Sequence, residues 1–324
     1  MPEFIVGNPL RRIAREHEFL RRLLWRMDFA LIWSLLTLFR LLPVEWASTL
    51  GAKLGAIIGP LMRRKTAILE ENLRIAFPEK SPHEIKHLAK ACWSSAGRVL
   101  SEYPHLDHIL NDRGDQRLEV IVRDPDLTLL DGNGPAIVVG AHLSNWELIA
   151  SALGRLGIVN SALYSPLTNP WLDRLLIEFR AALDCELLPR DNSTRLLLER
   201  LNAGRTIGML VDRPVDGGKP IPFFGREKLT TTLPAKLALK FGCGLIPSRV
   251  ERLKGAHFRV IFHPPVHPAN PGDCKNAQAL DMMRQLHQLF ESWIRQRPED
   301  WICATRVWPK SRHGSLEKAR CESE

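Results

Sequence analysis

Hydrophobic positions in this chain recur with two different periods, and their alternation marks its organisation. After Gly134, short apolar runs rich in β-branched residues at 136–139, 161–164, 186–188, 206–211, 245–250 and 258–262 are separated by longer segments at 146–156, 171–183, 193–203, 233–241 and 277–296. The short runs have the composition of buried strands and the longer ones that of amphipathic helices. In the segment from residue 171, Trp171, Leu172, Leu175, Leu176, Phe179 and Leu183 fall on one side of a 3.6-residue helix. Gly204 and Gly242 follow two of these helices as C-terminal stops. Strand and helix in alternation predict an α/β fold, a central mixed sheet flanked by helices.

Upstream the pattern is helical. Residues 65–103 read as helices with a break at Phe77-Pro78, after which Ser81 caps a second helix with Glu84 at the capping-box position and Pro82 in its first turn. Residues 29–39 (FALIWSLLTLF) are uncharged and mostly apolar, flanked by Asp28 and Arg40. That is short of the roughly 20 residues a membrane-crossing helix needs. Arg11, Arg12, Arg15, Arg21, Arg22 and Arg26 precede it, and a second basic cluster, Arg63, Arg64 and Lys65, closes the next apolar stretch, 50–62. Apolar burial beside basic residues is the pattern of a helix or helical hairpin lying in one leaflet, held by arginine contacts with anionic lipid. A core helix with solvated arginines is the alternative. The apolar run begins too late for a signal peptide and no small-residue cleavage site follows it. The expected division is an N-terminal membrane-associating helical segment over 1–66, an α/β domain over 67–313 and a polar tail over 314–324.

The segment Gly140-Ala141-His142-Leu143-Ser144-Asn145-Trp146-Glu147 carries the candidate chemistry. Five residues of continuous helix would turn Glu147 about 140° away from His142. A strand ending near Val139 and a helix beginning at Trp146, capped by Ser144 or Asn145, removes that difficulty and leaves Glu147 in the first turn. The imidazole then lies at the carboxyl end of a strand, where α/β folds place their sites, with Glu147 to fix its tautomer and raise its basicity. Taken alone, an H-x4-E pair is a weak signal and more often marks a capped, partly buried histidine.

Composition narrows the field. The 324 residues are 45% hydrophobic and 25% charged, as in a globular domain, and the net charge is +9. The six cysteines are widely spaced, without CxxC or a zinc-spaced cluster, so a reducing compartment and no metal are expected. No helix-turn-helix, RRM or zinc-finger pattern accompanies the basic charge, which argues against nucleic acid as partner.

Several further blocks agree with one pattern. Asp184-Cys185-Glu186-Leu187-Leu188-Pro189-Arg190 looks like G-x-x-[FI]-[IV]-x-R with Asp for Gly, and Leu210-Val211-Asp212-Arg213 resembles L-x-D-Q with Arg for Gln. Gly218-Lys219-Pro220-Ile221-Pro222-Phe223-Phe224-Gly225, followed by Thr230 and Thr232, is similar to G-x4-F-F-G-x4-T and is the most specific block. Gly244-Leu245-Ile246-Pro247 fits a final proline motif, residues 71–79 look like NL-x-x-AFP, and residues 294–310 resemble an I-x-x-x-PE-x-W ending. With His142 and Glu147 matching H-x4-D/E, the chain resembles the bacterial lipid A biosynthesis late acyltransferases. These are lauroyl and myristoyl transferases of lipopolysaccharide assembly, within the lysophospholipid-acyltransferase-like superfamily. Two departures stand out. Tyr164-Ser165-Pro166 replaces the family's Tyr-Arg-Pro, and Pro309 is inserted in the tail motif.

The resemblance implies transfer of an acyl chain from acyl carrier protein to a hydroxyl of a lipid A precursor at the cytoplasmic face of the inner membrane. Carrier, precursor and membrane lipids would be the partners, and no cofactor beyond the acyl-carrier co-substrate is implied. His142 would be the general base oriented by Glu147, without an acyl-enzyme, since no G-x-S-x-G elbow occurs. Backbone N–H groups at a helix start are the candidate oxyanion donors. Phosphate on both substrates calls for cations, with Arg190 first and Arg180, Lys219 and Arg249 behind it; each could instead serve a surface ion pair. Asp212 could orient one of these cations or hold a turn. Phe223-Phe224-Gly225 offers Phe224 and Gly225 to an acyl chain, or anchors a loop in the core. A glycerolipid, aminolipid or glycolipid acceptor, a hydrolase using water, and a silent lipid-binding protein are the other readings.

Overall fold

A computed structural model describes residues 10–111, 116–123, 134–191 and 193–309; the predicted polar tail and the turn residues Gly132 and Asn133 lie outside these. Six helices come first: α1 (Arg11–Glu16), α2 (Glu18–Arg40), α3 (Val44–Ile58), α4 (Arg63–Ala76), α5 (Pro82–Glu102) and α6 (Leu106–Asn111). Strand and helix then alternate through β1 (Leu118–Val122), β2 (Ile137–Gly140), α7 (Leu148–Arg155), β3 (Asn160–Tyr164), α8 (Pro170–Arg180), β4 (Glu186–Pro189), α9 (Thr194–Asn202) and β5 (Thr206–Leu210). A hairpin of β6 (Lys219–Phe223) and β7 (Arg226–Thr230) precedes α10 (Leu233–Phe241), β8 (Leu245–Arg252), β9 (Phe258–Phe262) and α11 (Lys275–Gln296).

Seven strands form one mixed sheet in the order β1-β9-β8-β2-β5-β3-β4, with β8 and β9 antiparallel and the other neighbours parallel. β2 is buried along its whole length, as a central parallel strand covered on both faces must be. Its side chains alternate between two cores. Ile137 and Val139 join residues of α4, α5, α9, α10 and α11, whereas Val138 joins α6 and α7. β1 and the β6–β7 hairpin were not anticipated from the hydrophobic pattern. Of the six charged or proline positions in β6 and β7 only Lys228 is buried, and KPIPF reads as loop because two prolines interrupt it.

The capping box forms as expected: Ser81 Oγ accepts from Glu84 N, and Ser81 N donates to Glu84 Oε2 at 2.8 Å. α4 runs through residue 66, and the preceding α3 packs backbone-to-backbone on α5. A Cβ added at Gly97 would lie 2.1 Å from the Gly51 carbonyl oxygen, and one at Gly55 would lie 2.2 Å from that of Trp93. Among the described residues no helix is long and apolar enough to cross a membrane. α2 buries Leu36 and Phe39 with Ala47 of α3 and Leu175 of α8, while its other side and the ends of α3 leave Phe19, Leu41, Trp46, Ile57 and Leu61 exposed.

Candidate active site

The centre of the site follows from strand register. β2 pairs in parallel with β5, Gly140 opposite Leu210, and Val211 N continues the ladder to the Gly140 carbonyl at 3.0 Å. His142 and Asp212 therefore stand two residues beyond the same rung of adjacent strands. These are the strands at which the connections part, one running outward to β3 and the other back to β8, the crevice where open α/β sheets bind their ligands. His142 Nδ1 lies 2.6 Å from Asp212 Oδ1. With Nδ1–H donating to the carboxylate, Nε2 carries the lone pair that can accept a proton.

Asp212 is itself held on every side. Trp301 Nε1 donates to its other oxygen at 3.3 Å, and the fully buried ammonium of Lys228 donates to the carbonyls of Val211 and Asp212 at 3.2 and 3.0 Å. Burial works to raise the pKa of Asp212, but the electrostatic attraction and hydrogen bond of His142, followed by the charges of Arg213 and Lys228, hold it below the ordinary carboxylate value. Burial pushes Lys228 down to about 8, against the attraction of Asp212. Its chain also lies over the Phe223 ring, 4.7 Å from the centroid.

The turn after β2 is stapled to the segment that follows α11. Ile302 N donates to the His142 carbonyl at 3.0 Å, Ser144 N donates to that of Asp300 at 2.9 Å, and Leu143 bridges Trp301. Ser144 adopts φ 52°, a left-handed conformation uncommon for a side chain with a Cβ, held here by those bonds. This moves the start of α7 from the expected Trp146 to Leu148, and no side chain caps it. Trp146 instead lies edge-on to the His142 ring, centroids 4.9 Å apart, and Asn145 Nδ2 reaches the buried Glu102 carboxylate at 3.0 Å.

Glu147 does something different from what its spacing suggested. The sequence reading made it the acid that orients His142; in the structure Asp212 makes that hydrogen bond, and Glu147 is bound to Arg180. The pair is bidentate, with Arg180 Nε 2.8 Å from Oε2 and Nη2 2.5 Å from Oε1, and Tyr103 Oη adds a bond to Oε1 at 2.7 Å. Burial acts to lower the Arg180 value, yet Glu147 and Tyr103 hold it above that of a free guanidinium; burial followed by the Glu147 charge lifts Tyr103 well above a free phenol. The reason for the exchange is geometric. Glu147 ends the turn on the α8 side, whereas Asp212 leaves its strand in register with His142.

A model of the bacterial lipid A biosynthesis acyltransferases matches residues 16–310. The chain belongs to that family. Among its relatives are a lipid A biosynthesis palmitoleoyltransferase of Escherichia coli K12, 24% identical over 88% of this chain and 91% of the other, and a lauroyltransferase of the same organism, 25% identical over 81% and 84%. A phosphatidylinositol mannoside acyltransferase of Mycolicibacterium smegmatis is 25% identical over 71% and 74%. The chain is thus an acyltransferase for a lipid acceptor.

The other predicted residues divide. Arg180 belongs to the Glu147 pair just described. Phe224, at φ 51°, and Gly225, at φ 70°, make the tight β6–β7 turn; Phe224 N donates to Glu291 Oε1 at 2.7 Å, and its ring stacks on Trp301, 6.0 Å away. The loop therefore anchors the wall behind Asp212. Arg190 is exposed, its ion pair being with the adjacent Asp191 at 3.8 Å, and Lys219 is exposed on β6. Arg249 is committed on β8 to Glu251, to Gln296 at 2.9 Å and to the Trp293 ring. Lys228, Trp301 and Tyr103 were missed. The alternation in β7, which puts Lys228 in step with inward-facing Thr230, was the available signal for the first; the others lie far from His142 in sequence and had none.

Proposed function

We propose that this acyltransferase moves a fatty acyl chain from the thioester of acyl carrier protein to a hydroxyl of a lipid A precursor, with His142 as general base and Asp212 as its orienting acid. The hydrogen-bonded His142–Asp212 pair, at the strand ends of a family acyltransferase, is the observation that carries this reading. The acceptor oxygen attacks the thioester carbonyl while His142 Nε2 takes its proton. Collapse of the tetrahedral intermediate breaks the carbon–sulfur bond, and the imidazolium returns the proton to the departing thiolate. The products are the ester and free thiol, and no acyl-enzyme is needed. Asp212 stabilises the imidazolium while it exists; Glu147 and Arg180, closed on each other, hold the far wall of the turn. The exposed apolar residues of α2 and α3, among the arginines of α2, support attachment to the cytoplasmic face of the inner membrane through one leaflet.

Mass spectrometry tests this directly. Purified protein is incubated with a tetra-acylated lipid A precursor and acyl carrier proteins loaded with chains of graded length, beside His142→Ala. One acyl increment, absent in the variant, is expected; none with any donor would remove the lipid A reading. A glycolipid acceptor is the second reading, because some relatives are mannoside acyltransferases and Ser165 replaces an arginine of the lipid A pattern. A phosphatidylinositol mannoside arm in the same experiment separates the two.

A further inference from the structure

The ladder of β5 ends where Val211 N meets the Gly140 carbonyl at 3.0 Å. Beyond it, the carbonyls of Val211 and Asp212 have no backbone amide as partner among the described residues. Both residues are buried, and a buried carbonyl without a donor is costly. One side chain answers both. Lys228 Nζ donates to Val211 O at 3.2 Å and to Asp212 O at 3.0 Å. These two carbonyls belong to the peptide planes on either side of the Asp212 Cα. A residue has only two soft backbone angles, so holding both planes fixes the direction in which its side chain leaves the chain.

Lysine is a costly residue for this task. Lys228 is fully buried on the inward side of β7, and its ammonium is met by two carbonyls and the Phe223 ring rather than by a carboxylate. An apolar side chain would pack at this position without the desolvation penalty of a charge. The hairpin that carries Lys228 is firmly seated. His287 Nδ1 on α11 donates to the Pro222 carbonyl at 2.7 Å, Trp308 Nε1 donates to that of Phe223 at 3.1 Å, and Phe224 N donates to Glu291 on α11 at 2.7 Å. Lys228 therefore reaches Asp212 from a fixed base.

We propose that Lys228 is a positioning residue for acyl transfer: by gripping the peptide planes on both sides of the Asp212 Cα, it aims the Asp212 carboxylate at His142 Nδ1. The aim matters because that bond is short, 2.6 Å, and a charge-assisted hydrogen bond weakens quickly when either partner moves. The positive charge of Lys228 also favours the ionised form of Asp212, after the larger effects of His142 and Arg213. The role rests on the acyl-transfer reading, in which Asp212 stabilises the imidazolium. Lys228 contributes to the rate through Asp212, so its effect disappears when Asp212 has no carboxylate to aim.

A double-mutant cycle tests this on the full chain. Lys228→Met and Lys228→Gln are made both in the wild type and in Asp212→Ala, circular dichroism and thermal melts check that each variant is folded, and kcat and KM are measured with the acyl carrier protein donor and the lipid A precursor. Lys228→Met is expected to lower kcat by about 10²-fold with KM unchanged, the scale of a misplacement of about 1 Å. Lys228→Gln, which keeps donors and loses the charge, lowers kcat less and carries the cycle if the Met variant does not fold. In Asp212→Ala either change alters kcat by less than about threefold. Equal fold-losses in the two backgrounds, or wild-type kcat in Lys228→Met, would overturn the role. Proton NMR reads the same geometry without turnover. The Nδ1–H of His142 bonded to Asp212 gives a resonance far downfield that Asp212→Ala abolishes; Lys228→Met is expected to move it upfield, and an unmoved resonance would overturn the role. Wild type that shows this dependence on Lys228 yet transfers no acyl group to any acceptor would overturn the acyl-transfer reading and leave the positioning of Asp212 standing.

Discussion

Replacing Asp212 with Asn separates the two acids that could orient His142. The carboxylate receives two N–H groups, Nδ1–H of His142 at 2.6 Å and Nε1–H of Trp301 at 3.3 Å. An amide has one oxygen, so whichever way it turns one donor meets another donor. Facing its oxygen to His142 sacrifices the longer Trp301 bond, which costs about 1 kcal/mol and keeps the imidazole tautomer. The greater loss is charge. An imidazolium and a carboxylate with centres about 4 Å apart attract by about 4 kcal/mol at an effective dielectric constant of about 20. That stabilisation exists only once the proton has moved to His142, so it comes off the barrier rather than off binding. Roughly a thousandfold fall in kcat with little change in KM is expected, rising toward 10⁴ if the amide locks the wrong tautomer. Glu147→Gln, by contrast, leaves Arg180 buried without its partner, and a loss of about 3–5 kcal/mol of stability accompanies any loss of rate. Steady-state kinetics and thermal melts on both variants decide the matter. Asp212→Asn within tenfold of wild type, with a stable Glu147→Gln reduced a thousandfold, would refute the assignment of Asp212.

Three more outcomes follow from buried groups. Lys228 is held at about 8 in the folded protein, below its unfolded value, so the unfolded chain binds more protons between those two values and stability rises with pH there, by roughly 3 kcal/mol across the window; urea unfolding from pH 7 to 10 should show this rise in wild type and lack it in Lys228→Met. Glu102 is fully buried and takes Arg252 Nη1 and Nη2 at 2.6 and 2.9 Å, Ser48 Oγ at 2.7 Å and Asn145 at 3.0 Å. Glu102→Gln uncovers the Arg252 charge and is expected to lower stability by about 3–5 kcal/mol, measured by denaturant titration, and to reduce activity because Asn145 belongs to the His142 turn. Gly97→Ala would press a methyl into the Gly51 carbonyl, forcing α3 and α5 apart at a cost of about 1–3 kcal/mol or more, visible as a lowered Tm.

Local signals specified much of this protein. Alternating periods placed β2, β3, β4, β5, β8 and β9 and the helices between them to within a few residues, because strand and helix each impose their period on the chain that must bury one side. The capping box of Ser81 and Glu84 and the stop at Gly242 were legible for the same reason: each satisfies backbone groups within a few residues. His142 was legible as the candidate base, since its place after a buried strand is local too. What its neighbours do was not. The tie between His142 and Asp212 depends on the register of β2 with β5, seventy positions along the chain, and pairing register between parallel strands is decided by the whole sheet. Glu147 was nearer in sequence but points into the Arg180 and Tyr103 pair, which only the packing of α5 and α8 against the turn creates. Lys228 and Trp301 reach Asp212 from a hairpin and from the segment after α11. Sequence determined which residues could do chemistry; tertiary structure decided which of them meet, because hydrogen bonds and ion pairs act over a few ångströms and only folding brings distant residues within that range.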